Sequence, residues 1–461
     1  VNALFIHNTS QLLSLAGSAR PRVGKEMSDL RIIPRGAVLT RGEKIFAVGT
    51  EKELLKLPEA KRAREVNARG GVVMPGFVDS HSHPVFAASR VEEFEMRLRG
   101  KSYEQIAAAG GGILNSARKL RAASEKTLLD NLQRWSAEFL RHGTTTLEAK
   151  SGYGLDAESE LKMLRVIREA NSCGSELYSR RRRGRPRLKI APTATVAIEN
   201  RSHKGLELVP TFLGAHAIPA EFRGNREKYV RLVIEEMIPR VASDGSRRRE
   251  EAESPSSRRG PQLAEFCDVF CEGIAFTVAE SRRILTAAKW AGLKLKIHAD
   301  QLTHNGGARL AAELGAVSAD HLECATRADA CAMKKAGVIA ALLPAVNFFL
   351  GNSKHAPARM FIEEGVPVAL ATDFNPGTCP CLNMQTVLAI ACSQLRMTPA
   401  EAITAATING AHALCRADRI GSLETGKQAD IIVLDVNDYR EVPYFFGVNH
   451  CQMVIKNGKM L

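Results

Sequence analysis

The sequence predicts an α/β fold: a (β/α)8 TIM barrel carrying a small β-sandwich built from both chain termini. Three observations predict it. Eight apolar, strand-like runs alternate with helical periodicity through the middle of the 461 residues. Further strand-like runs occupy both ends, where no helical alternation accompanies them. Histidines and carboxylates gather at the C-terminal ends of the central runs, the face on which such barrels place their chemistry. The expected division is 1–71 for the first part of the sandwich, 72–420 for the barrel and 421–461 for the rest of the sandwich.

In chain order, Ala3 to His7, Gly36 to Thr40 and Lys44 to Val48 read as short strands, and Glu51 to Arg64 as a short helix. The barrel strands are expected at Val72–His83, Thr144–Lys150, Glu207–His216, Phe266–Cys271, Lys294–Asp300, Val317–Leu322, Val338–Pro344 and Val368–Phe374. Helical patterns at Glu125–His142, Ala157–Ala170, Arg226–Ala242, Val278–Ala291, Gly307–Leu314, Ala328–Ala336, Pro357–Glu364 and Asn383–Leu395 fall between and after them. Gly110-Gly111-Gly112 lacks the Lys-Ser/Thr of a phosphate loop and reads as a tight turn at a helix start. Ala429–Asp435 and Met453–Lys456 are strand-like, and Asn457-Gly458 supplies a hairpin-type turn.

The formal net charge of +14 is unevenly spread. Residues 180–187 hold six Arg and no acid, and residues 246–259 hold five Arg and three Glu, so these tracts supply eight of the fourteen charges. They read as solvated insertions, near 171–206 and 243–261, in helix-to-strand connections away from the chemistry. The rest of the chain is too evenly charged for a nucleic-acid binder. No apolar run is long enough to span a bilayer, and Leu4 to Gly17 is too polar for a signal peptide. Ten Cys without paired zinc-ribbon spacing are expected as reduced thiols in a cytoplasmic protein.

The chemistry starts at MPGFVDSHSHP, Met74 to Pro84. Residues two apart on a strand share a side, so His81 and His83 present two imidazoles together. His216 ends the third strand, His298 the fifth, His321 the sixth and Asp373 the eighth. His81, His83, His298 and Asp373 make a three-nitrogen, one-oxygen ligand set for a metal ion, with Asp373 placed to carry a proton and His321 to polarise a substrate carbonyl. Lys150 ends the second strand and could be a carbamylated bridge between two metals, but Ser151-Gly152-Tyr153-Gly154 follows it at once, a turn more suited to packing over substrate.

These residues resemble the imidazolonepropionase family of the amidohydrolase superfamily over nearly the whole chain outside the basic tracts. The superfamily marks are PGFVDSHSH, His298 and TDFNPG at Thr372 to Gly377. The family marks are EFEMRLRGKSYEQIAAAGGGI (Glu93–Ile113), KSGYGLD (Lys150–Asp156), PTFLGAHAIP (Pro210–Pro219), KIHADQL (Lys296–Leu302), SADHLE (Ser318–Glu323) and PYFFGVN (Pro443–Asn449). The resemblance implies one divalent or trivalent metal ion, zinc or iron, on His81, His83, His298 and Asp373. It implies catalytic roles for Asp373, His321 and Gln301, and substrate contacts from Arg90, Tyr153, His216, Gln301, Asn375, Gly377 and Thr378. Some relatives carry Glu where Gln301 stands. An Arg fork at Arg90 suits a propionate carboxylate. The implied reaction is hydrolysis of the cyclic amide of imidazolone propionate to N-formimidoyl-L-glutamate by a homodimer. The alternatives are an amidohydrolase that deaminates a ring, told apart by ammonia release, and a non-catalytic scaffold, told apart by absence of bound metal.

Overall fold

The computed structural model describes residues 3–101, 105–106, 110–172, 205–243 and 262–461. The arginine-rich tracts at 180–187 and 246–259 lie outside the described residues.

Eight parallel strands form the central sheet: β1 (Phe77–Asp79), β2 (Thr144–Lys150), β3 (Glu207–Ala215), β4 (Phe266–Cys271), β5 (Lys294–Ala299), β6 (Ser318–His321), β7 (Ile339–Leu342) and β8 (Val368–Leu370). Each pairs with its sequence neighbour, as right-handed βα crossovers dictate. The ring closes between β1 and β8 through a bridge of Ser82 with Phe374, with Asp373 N donating to His81 O (3.0 Å) and His83 N to Phe374 O (2.9 Å). The closure therefore runs through the segments that carry His81, His83 and Asp373. β2 is buried along its whole length, as expected of a strand covered on both faces. Helices such as Glu125–Arg141, opened by a Ser124 cap that accepts from Thr127 N, lay apolar faces on the outside of the ring.

Both chain ends build two further sheets. Leu4–His7, Gly36–Arg41, Lys44–Thr50 and Arg64–Asn67 form one of four strands. Gln11–Leu13, Ile32–Pro34, Val72–Pro75, Ile431–Leu434, Cys451–Lys456 and Lys459–Met460 form one of six. The two share a core in which Leu4, Ile6 and Val38 meet Leu12, Val73, Ile431 and Val433. The turn between the last two strands has Asn457 and Gly458 at φ 52° and 69°, the backbone a two-residue hairpin requires.

Several expected elements need correction. Val72–His83 is not one strand. Val72–Pro75 pairs with Ile431–Leu434 in the six-stranded sheet, and β1 begins only after Gly76. The helix expected over Glu51–Arg64 is a single turn, Glu51–Leu54, because Pro58 prevents its continuation. A helix at Pro344–Leu350 precedes the expected one after β7, which forms at Ala358–Glu364. Strand geometry in β8 stops at Leu370, before the polar residues it was expected to carry.

Candidate metal centre at the barrel mouth

Just past β1, His81 Nε2 and His83 Nε2 lie 3.3 Å apart. Asp373 Oδ1 lies 3.5 Å from the first and 3.3 Å from the second. The His81, His83 and His298 donor atoms all fall within 4.8 Å of one another. A tetrahedral ion with bonds of about 2.0–2.1 Å has ligand–ligand edges of roughly 3.3–3.4 Å, so the His81, His83 and Asp373 separations fit a single small cation, with His298 close by. The protonation pattern fits as well. His81 Nδ1 bonds Asp320 Oδ2 at 2.6 Å, which puts its ring proton on Nδ1, and His298 Nδ1 lies 2.9 Å from Asp268 Oδ2. That turns the Nε2 lone pairs inward, towards one another, an arrangement a cation relieves.

Electrostatics support the same assignment. Burial pushes His81 well below the ordinary histidine value and His298 down to about 4, so both are neutral donors. Burial works to raise the Asp373 carboxyl, but the hydrogen bond to His83 and the neighbouring His321 hold it below the usual range, so it is ionised. His321 behaves differently. Burial opposes its charged form, yet Glu323, with Oε1 3.7 Å from Nδ1, and the Asp373 and Asp320 carboxylates raise it above its ordinary value. It is the imidazole in this cluster biased towards donating a proton. His321 and Asp373 also hold φ at 77° and 52°, in the left-handed region, where non-glycine residues collect at functional sites.

The remaining expected site residues surround this cluster unequally. His216 stacks on His83 with ring centroids 5.2 Å apart, and its Nδ1 donates to Gly152 O at 2.9 Å. Tyr153 packs beside both rings, 5.5 Å from His216 and 6.0 Å from His83. Arg90 precedes the Val91–Leu98 helix and its N–H donates to Pro376 O (3.2 Å), in the loop after Asp373. Asn375 is committed to that loop: Oδ1 accepts from Gly377 N (2.8 Å) and Thr378 N (2.7 Å), while Nδ2 donates to Asp373 O (2.7 Å). Gln301, three residues past His298, is half-buried, and among the described residues no hydrogen bond ties its amide to the histidines. Lys150 is fully buried and its ammonium touches Asp268, Glu148 and Asp320, whose charges outweigh burial and raise it. An ammonium held this firmly is a poor candidate for carbamylation.

Comparison with known proteins decides the family. Residues 271–461 match the model described as "Amidohydrolase family". Imidazolonepropionases from Alkaliphilus metalliredigens, Solibacter usitatus and Geobacillus kaustophilus are 42%, 45% and 44% identical, covering 99%, 98% and 99% of this chain and 97% of each relative. The chain belongs to the imidazolonepropionase family. Members of that family are hydrolases of the amidohydrolase kind. Solved structures more distant than these share the fold alone. A triazine hydrolase variant is 16% identical with a TM-score of 0.69, covering 100% of this chain and 94% of its own. An adenosine deaminase from Xanthomonas campestris with bound zinc is 18% identical with a TM-score of 0.64, covering 99% and 92%.

Within this imidazolonepropionase-family site, sequence reasoning missed the outer carboxylates. Asp268 sits inside the apolar strand Phe266–Cys271, fully buried, and contacts both His298 and Lys150. Asp320 entered the sequence reading only as part of SADHLE, at the end of the sixth strand, although its Oδ2 lies 2.6 Å from His81 Nδ1. The signal was there: an Asp or Glu within a run that is otherwise buried has to be paired.

Proposed function

We propose that this chain hydrolyses the cyclic amide of 4-imidazolone-5-propanoate to N-formimidoyl-L-glutamate, using one zinc or iron ion on His81, His83, His298 and Asp373, and that it works as a homodimer. The near-full-length identity of 42–45% to imidazolonepropionases carries this reading. When bound, the ion supplies Lewis acidity and lowers the pKa of water towards neutrality.

The protein's own groups do the rest. Asp373, ionised and beside the two Nε2 atoms, takes the proton of the attacking water and returns it to the leaving ring nitrogen. His321, biased to its protonated form, donates to the carbonyl oxygen as negative charge develops there. Arg90 pairs with the propionate carboxylate. Tyr153 and His216 wall the ring, Gln301 reads its edge through an amide that both donates and accepts, and Gly377 and Thr378 bound the opened product. Asn375 shapes the loop that presents them.

The test is incubation with imidazolone propionate, following loss of its ultraviolet absorbance and assaying ammonia. Ring opening without ammonia is expected. Ammonia release would make the chain a deaminase, and an unchanged spectrum with metal bound would remove the assignment.

A further inference from the structure

Beneath the ligand histidines lies a second group of donors. His81, Glu148 and Asp320 place ligand atoms within 4.8 Å of one another, and Asp268 borders them. All three carboxylates have side chains with 0% exposure. Two ammonium groups straddle the same pair of oxygens. Lys150 Nζ is 3.0 Å from Glu148 Oε2 and 3.7 Å from Asp320 Oδ2. Lys296 Nζ is 2.8 Å and 3.6 Å from those same two atoms. Lys150 also reaches Asp268 Oδ2 at 2.7 Å, and Lys296 donates to Ser80 O at 2.5 Å. Thr211 Oγ1 donates to the other Glu148 oxygen at 2.5 Å, and Ser318 Oγ to the other Asp320 oxygen at 2.5 Å.

We infer that Lys150 and Lys296 are built-in cations filling what would otherwise be a second metal position, and that they thereby restrict the centre to one metal ion. The inference rests on the metal centre above and not on the identity of the substrate. The charge balance explains the arrangement. Three buried carboxylates face two ammoniums, and removing one ammonium leaves a second uncompensated negative charge where water cannot screen it. Uncompensated buried charge is strongly destabilising, and the carboxylate oxygens of Glu148, Asp320 and Asp268 are acceptable ligands for zinc. The lysines are positioning residues: they hold Asp320 against His81 and Asp268 against His298, fixing the inward-facing lone pairs.

The experiment is zinc titration of metal-stripped full-length protein, with bound metal measured by elemental analysis after desalting and folding followed by circular dichroism. The wild type is expected to saturate at about one zinc per chain, and Lys150→Ala and Lys296→Ala at about two. The double variant Lys150→Ala with Glu148→Gln should return to about one, placing the added ion in this cluster. Saturation of the wild type at two, or of both folded alanine variants at one, overturns the inference. So does failure of both variants to fold at every zinc level, because a true cation position there would be rescued by the ion. A wild type that binds no zinc instead removes the metal centre itself.

Discussion

The Arg90 guanidinium fills the space that a side chain at Gly377 would need: a β-carbon at Gly377 would lie 1.2 Å from Arg90 Nη2. Gly377 is held in place by Asn375 Oδ1 and by Arg97, which donates to its carbonyl at 3.1 Å. Neither partner can step aside without reshaping the loop after Asp373. Gly377→Ala should therefore displace Arg90 and raise KM about tenfold or more, an effect on the order of 1.4 kcal/mol, with metal content unchanged. Arg90→Ala should raise KM similarly, and Arg90→Lys should restore it only in part because the fork is lost. Steady-state kinetics on the three variants check this. An unchanged KM in Arg90→Ala would end the carboxylate-clamp idea.

Asp373→Asn keeps the shape of the side chain but loses its charge and its capacity to accept a proton. Turnover should fall by roughly 10²–10⁴-fold in protein that still contains metal at saturating concentration. Rates on metal-loaded enzyme decide it, and a near-normal rate would rule out proton transfer through this carboxylate.

Asp320→Asn should weaken metal binding by about 10–100-fold, because His81 loses the carboxylate that holds its Nδ1 proton at 2.6 Å. Competition with a chelator of known affinity gives the number. Equal metal retention by wild type and variant would mean that the packing around His81, rather than Asp320, sets its orientation.

Glu207 opens β3 and meets Arg416, Arg419 and, at 3.9 Å, Lys456 of the six-stranded sheet. Burial alone would raise its carboxyl, but Lys456, Arg419 and Arg416 lower it below the ordinary value of 4.5. A carboxyl depressed in the folded state adds stability that is fully present above its unfolded value, and that stability is lost as pH falls through the folded value. Glu207→Gln should thus lower Tm at pH 7 by about 1 °C per kcal/mol lost, and the gap to wild type should narrow as pH falls below 4.5. Thermal melts across that range check the sign; a gap that persists undiminished at low pH would show that charge is not its source.

What could be read in advance divides along physical lines. The eight barrel strands were legible because each is an apolar run and the alternation repeats. The convergence of His81, His83, His298 and Asp373 followed once the strand ends were assigned to one face. The break at Gly76 had a signal in Pro75-Gly76, but that the two halves pair in different sheets was not legible, because only their partners distinguish them. The short strands Gln11–Leu13 and Ile32–Pro34 were missed because three residues carry too little periodicity. Asp268 was overlooked because a carboxylate inside an apolar strand signals a partner without saying which one, and its partners, Lys150 and His298, come from β2 and β5.

One residue, Gly76, joins the sheet made by the chain ends to the strand leading into the metal-binding histidines. Its N–H is fastened to Asp430 O at 3.1 Å, and an added β-carbon would come within 2.3 Å of Thr145 on the barrel side. The C-terminal tail is thus a brace for the catalytic rim, and a protease nick between Asp430 and Lys456 should be felt as looser metal long before the barrel melts.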